Sequence, residues 1–141
     1  MEIDSILNKY CKHVLRVHVE TLRYNRQTKT WYWDLPAAIS VAHDYSKKRH
    51  KNGYSHRPEG TKWNERIRLQ LEKLGDIGTK STLGKRYIIG NCAEQHAGNN
   101  YMNKYRDQKL YDIHFSLTLR PRTMQILAPC DNCKFTFPNL L

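Results

Sequence analysis

Gly90-Asn91-Cys92-Ala93-Glu94-Gln95-His96 and Ala128-Pro129-Cys130-Asp131-Asn132-Cys133 are the two stretches whose reading decides the fold. Each stands where a helix should begin. With Pro129 before it, a first helical turn at Cys130 points the sulfurs of Cys130 and Cys133 to one side, and the positive helix end favours thiolates there. Zinc takes thiolate and imidazole ligands in a tetrahedron, and a catalytic zinc keeps one position for water. Cys92, Cys130 and Cys133 supply three ligands, which leaves Glu94 free to move protons. A closed alternative uses the same residues. Cys92 and His96 share a helix face at i, i+4, so His96 would complete a Cys₃His structural site with no position for water. That arrangement leaves Glu94 without a purpose and asks His96 to reach back from a full turn away.

The flanks extend the pattern. The segment from Thr79 ends in an apolar strand around Tyr87-Ile88-Ile89, Gly90-Asn91 turns the chain, and a helix runs from about Cys92 to Tyr105. Leu110 to Leu119 alternates apolar and polar residues as a strand does, and Arg120-Pro121-Arg122 breaks it. Met124 to Leu127 is a short apolar return, Pro129 starts the last helical turn, and Phe135 to Leu141 predicts a closing strand. Two strand-turn-helix units with ligands at their turns imply an α/β layer arrangement with the site at strand ends.

Upstream, Asp4-Ser5 caps a helix carrying Ile6, Leu7, Tyr10, Val14 and Val17 at three- and four-residue steps, fading before Asn25. Thr28 to Asp34 reads as a turn or short strand with Trp31 and Trp33 on one side. Asp34-Leu35-Pro36 reads as a helix start carrying Ala37 to Tyr45 into the basic tract Lys47-Lys48-Arg49-His50-Lys51. Thr61 to Glu65 opens a further helix with Trp63, Ile67, Leu71 and Leu74 on one face, stopped by Gly75 and Gly78. The expectation is a single domain, with residues 1–75 a mainly helical cap on a zinc-bearing α/β core at 76–141.

The chain has 141 residues, enough for one domain with a real core. Its 24 Lys and Arg against 13 Asp and Glu give a net charge of +11, which points to a polyanionic partner, nucleic acid before an anionic membrane surface. No apolar run has the length of a membrane span and no signal peptide opens the chain. The reading is therefore a soluble protein, cytoplasmic or part of something larger. Three of the four cysteines fall in the two motifs, and their spacing without secretory features suits metal better than a disulfide.

Gly-Asn-Cys-Ala-Glu at 90–94 with Pro-Cys-Asp-Asn-Cys at 129–133 resembles the cytidine deaminase-like superfamily. Within it the chain looks most like the YwqJ-like deaminases of bacterial polymorphic toxins. The likeness covers about residues 79–137. It implies a layered α/β/α sandwich with a small mixed sheet, one Zn²⁺ on Cys92, Cys130 and Cys133, Glu94 as the proton-shuttling acid, and the Ala93 backbone close to the bound base. Only eight residues follow Cys133, so the last elements of the superfamily sheet are short or missing. The implied reaction is hydrolysis of cytosine to uracil, in a monomeric toxin domain acting in a recipient cytoplasm, with an immunity protein as a further partner. Because a base inside a duplex is out of reach, the substrate expected first is single-stranded DNA, then double-stranded DNA or RNA. Single-strand binding combines basic groups with aromatic platforms. The candidates are Lys47, Lys48, Arg49, Lys51, Lys85, Arg86, Arg120 and Arg122, with Tyr87, Tyr101, Trp31 and Tyr54 for stacking. Arg86, Tyr87, Arg120 and Arg122 stand nearest the motifs. The competing functions are a free nucleoside or nucleotide deaminase, and a non-catalytic zinc-stabilised nucleic-acid-binding module closed by His96.

Overall fold

The computed structural model describes residues 3–19, 22–33, 37–44, 48–83, 87–121 and 123–140, with the backbone alone at 3, 14–19, 22–25 and 30–33. Helix α1 (Ile3–Val19) is followed by a hairpin of β1 (Leu22–Asn25) and β2 (Thr30–Trp33), which stands apart as a two-stranded sheet. A five-stranded sheet is built from β3 (Ile39–His43), β4 (His50–Tyr54), β5 (His114–Phe115), β6 (Thr118–Arg120) and β7 (Gln125–Leu127). Helices α2 (Glu65–Glu72), α3 (Ala93–Lys104) and α4 (Asp131–Thr136) complete the fold. The chain is thus mixed α/β. Every pairing among the described residues is antiparallel, where the sequence reading expected a mixed sheet.

Strand β3 is the centre. All five of its residues are buried, because its two faces meet different helices. Ile39 and Val41 pack with Ile6, Leu7, Tyr10 and Cys11 of α1, while Ala42 joins a second cluster built on Ile67, Leu71, Ala97, Tyr101 and Met102 of α2 and α3. This corrects the helix expected over 37–45 and, with it, the mainly helical first half. A strand covered on both faces need not alternate, and over the five residues Ile39-Ser40-Val41-Ala42-His43 periodicity cannot tell it from a buried helix segment. Among the other upstream elements, α1 and α2 lie where the sequence placed them. Val14, Val17 and the sides taken by Trp31 and Trp33 lie outside the described side chains.

The strand expected from Leu110 to Leu119 is interrupted. Leu110–Asp112 forms a 3₁₀ turn, β5 pairs Phe115 with Ala42, and β6 pairs Leu119 with Ile39. Between these pairs Ser40 and Val41 on β3 face Ser116, Leu117 and Thr118 on the other strand, a one-residue bulge. Ser116 fills it: its Oγ accepts from the Val41 N–H at 2.9 Å, and its own N–H donates to the Val41 carbonyl at 2.9 Å. The bulge turns the pattern over. Phe115 packs towards α4, on Phe137, whereas Leu119 joins the α1 cluster. Thr118 is thereby delivered to the α3 side. The expected closing strand after Phe135 is also absent among the described residues, since α4 runs to Thr136 and a turn follows.

Gly53 on β4 explains how close α3 lies to the sheet. A Cβ there would sit within the backbone of His96 and Ala97. No helix among the described residues is long and apolar enough to cross a membrane.

Candidate metal centre and its cleft

The first candidate ligand, Cys92, is placed by a turn. Gly90 adopts φ 89°, a left-handed conformation that favours glycine, and its N–H donates to Gln95 Oε1 at 3.0 Å. The same oxygen accepts from the Cys92 N–H at 3.4 Å, so Gln95 fastens the turn onto the first turn of α3. Cys92 is the N-cap of α3, with extended backbone angles, and Cys130 is the N-cap of α4 in the same way. Cys133 lies one turn inside α4 and is fully buried.

These placements bring the three thiols together. Cys92 Sγ is 3.0 Å from Cys130 Sγ, which is 3.5 Å from Cys133 Sγ, and none is in a disulfide. The three ligand atoms all lie within 4.8 Å of one another. A tetrahedral zinc with bonds of about 2.3 Å separates its sulfurs by about 3.8 Å, so the trio needs to open by less than about 1 Å to take the ion. The electrostatics agree with a cation site. Cys130 is held down to about 3 by hydrogen bonds from Cys133 and Cys92 and by the backbone N–H groups of Cys133 and Asn132. Cys92 is raised, chiefly by its hydrogen bond with Cys130, and Cys133 is raised by burial. The opposite shifts of Cys92 and Cys130 describe one shared proton. A dication bound among the three sulfurs would draw off their protons.

Glu94 is only 4% exposed. Burial pushes its carboxyl up to about 7, with the charge of Cys130 adding to the rise, while its own backbone N–H and the Thr118 hydroxyl oppose it. It opens onto a cleft of about 180 Å³ whose lining includes Cys92, Cys130, Ala93 and Tyr87. That is below the roughly 300–1,000 Å³ of drug-sized pockets, a size suited to one small ring. The far wall comes from the ends of β3 and β4 through Ala38 and Ser55, and from Leu127 at the end of β7.

Of the residues singled out from sequence, the structure gathers Cys92, Cys130, Cys133, Glu94, Ala93 and Tyr87 at this cleft. Tyr87 is 46% exposed, and its carbonyl accepts from Asn132 Nδ2 at 3.0 Å, which ties it to the first turn of α4. Arg120 is exposed at the end of β6 and is not part of the lining. Arg86, Arg122, Lys47 and Lys85 lie outside the described residues, as does the Trp31 side chain. Two track candidates are engaged elsewhere. Arg49 pairs with Asp107 at 3.2 Å and lies 5.0 Å over the Tyr105 ring. Tyr101 is fully buried in the core, so it is no stacking platform.

His96 is outside the thiol cluster. Its ring stacks on His56 at 3.6 Å, lies 5.2 Å from Trp63, and places Nε2 3.1 Å from the His56 carbonyl. Burial, then the neighbouring His56, push it down to about 4. The helix direction accounts for this, since a full turn carries His96 away from the end where the thiols meet. Three polar lining residues were given no site role by the sequence reading. Asn91 carries a buried Oδ1 with no partner among the described residues, an acceptor facing the need for a donor. Ser55 and Thr118 arrive from strand ends, where no local signal marks them. Asn91 alone was visible, as the second residue of the Gly-Asn turn.

Comparison of the chain with protein-family models, curated proteins and solved structures gives no match.

Proposed function

We propose that this chain is a zinc-dependent deaminase that converts cytosine to uracil in nucleic acid, single-stranded DNA first. The supporting observation is the meeting of three thiols at the N-termini of α3 and α4 with a buried carboxyl, Glu94, on the same small cleft. Zinc held by Cys92, Cys130 and Cys133 would supply a Lewis acid that makes water nucleophilic near neutral pH.

The chain's own groups do the rest. Glu94 takes a proton from the water and delivers it to the ring nitrogen N3 as oxygen adds to C4. It then carries a proton to the exocyclic nitrogen, the C4–N4 bond breaks, and ammonia leaves with oxygen in its place. Buried on the cleft two residues from Cys92, the Glu94 carboxyl is placed for both transfers. The Thr118 hydroxyl orients it, and Tyr87 offers a ring beside the base. The net charge of +11 favours a polyanionic substrate. The likeness of the two motifs to toxin-type deaminases extends the proposal to a toxic effector domain with an immunity protein as its partner.

The test is to incubate zinc-loaded protein with single-stranded DNA, double-stranded DNA and RNA oligonucleotides and to sequence the products. C-to-U conversion on single strands is expected, lost in Glu94→Gln although that variant keeps its zinc. Full turnover in Glu94→Gln would remove the carboxyl from the mechanism. Conversion of free cytidine with none in any oligonucleotide would make the protein a nucleoside enzyme instead.

A further inference from the structure

Among the described residues strand β4 is an edge of the main sheet, paired with β3 alone. Its alternation sends Lys51 and Gly53 towards α3, and Gly53 is the point where the Ala97 backbone comes closest. Further along the same seam, where α3 ends, a groove of about 350 Å³ opens between Lys51 and Asn52 on the strand and Asn100 and Lys104 on the helix. Asn100 Nδ2 donates to the Asn52 carbonyl at 3.0 Å, which fixes the groove wall. Among the described residues neither lysine has a carboxylate within salt-bridge distance, in contrast to Arg49, which is held by Asp107. Lys104 also offsets the negative end of α3, but that role accounts for neither Lys51 nor the groove.

At its other end β4 runs into the cleft. By the same alternation Tyr54 leaves β4 on the face opposite Lys51, across the strand edge. It is 39% exposed, its ring lies 4.9 Å from that of exposed His56, and Ser55 between them lines the cleft. From Lys51 to Ser55 is about 13 Å at roughly 3.3 Å per residue. A stacked nucleic-acid strand rising about 3.4 Å per nucleotide covers that with about four nucleotides. Paired lysines at one end and an aromatic step at the other are the two components of single-strand binding without base readout.

We propose that the outer edge of β4 is the track for a single-stranded nucleic acid, with a backbone phosphate between Lys51 and Lys104 and a base on the Tyr54–His56 step beside the cleft. The inference rests on the nucleic-acid reading above and deepens it by assigning the path of the strand. It places the groove behind the cleft rather than around its mouth, so chemistry on a free nucleoside does not use it.

The experiment measures binding of zinc-loaded protein to fluorescein-labelled dT12, which holds no cytosine to convert, by anisotropy across a salt series. Lys51→Ala/Lys104→Ala is compared with Lys73→Ala/Lys80→Ala, which removes the same charge from exposed sites elsewhere. The groove variant is expected to bind about 10-fold more weakly. Its slope of log affinity against log salt should fall by about 0.7, for the one phosphate seated between the two lysines. The control should stay within about twofold, and Tyr54→Ser should weaken binding with no change in slope. Equal losses in the two lysine pairs would overturn the track, as would a wild-type chain that ignores dT12 while binding an acidic peptide. Groove-dependent binding without any C-to-U conversion would leave the track standing and remove the deaminase. Conversion of cytosine in oligonucleotides, unaffected by the groove substitutions, would do the reverse.

Discussion

Two buried groups in the first turn and a half of α3 titrate against each other, and this can be read as stability. Burial pushes Glu94 from 4.5 up to about 7 and His96 from 6.5 down to about 4. In the metal-stripped chain, between pH 4.5 and about 7, the folded state keeps a proton on Glu94 that the unfolded state has released. That contribution is present in full below pH 4.5 and is lost as pH rises. Between about pH 4 and 6.5 the unfolded state binds a proton on His96 that the folded state refuses. That contribution is present above pH 6.5 and is lost as pH falls. Each amounts to about 3 kcal/mol over its window, at roughly 1.4 kcal/mol per pH unit. In the wild type the two slopes oppose one another where they overlap.

Glu94→Gln leaves only the histidine, so it should lose about 3 kcal/mol between pH 6.5 and about 4 that the wild type partly retains. His96→Gln leaves only the carboxyl, so it should gain a similar amount between about pH 7 and 4.5. Urea unfolding followed by tryptophan fluorescence, with chelator and reductant present, measures both. Three parallel curves across this range would refute burial as the cause of either shift.

Cys133→Ser should lower zinc content from one ion per chain to near zero by metal analysis, while His96→Ala should keep the ion. Retention in the first and loss in the second would move the site to imidazole. Gly53→Ala should destabilise the chain by about 1–3 kcal/mol in denaturant unfolding, because its Cβ would force α3 off the sheet. Ser116→Ala removes the acceptor of the Val41 N–H, for an expected loss of about 1–3 kcal/mol. It should also lower kcat by displacing Thr118 from Glu94, and an unchanged kcat would separate the bulge from the site.

The thiol cluster and the buried carboxyl beside it were legible because their signals are local. Cys92 and Cys130 are N-caps, Glu94 and Cys133 follow them at fixed short offsets, and each motif has a turn or proline before it. Those choices are made within about one helical turn and need no distant partner. The same holds for the positions of α1, α2 and α3, although Asp4 and Ser5, read as the cap of α1, lie within its first turn. His96 shows the limit. Its i, i+4 spacing from Cys92 placed both on one helix face, but only the position of His56 and Trp63 showed what that face meets at each end.

By itself the sequence determined the donor set, the helices that begin at it and the positive charge around it, since spacing and composition act over a few residues or over the whole chain at once. The tertiary structure decided that residues 39–43 are a strand, because burial on both faces erases the periodicity that would have said so. It also decided that the strand after Leu110 carries a bulge, because Ser116 answers to Val41, far away in the chain. The cleft wall at Ser55 and Thr118 and the open edge of β4 were decided in the same way, by which strand ends meet and which strand is left without a neighbour.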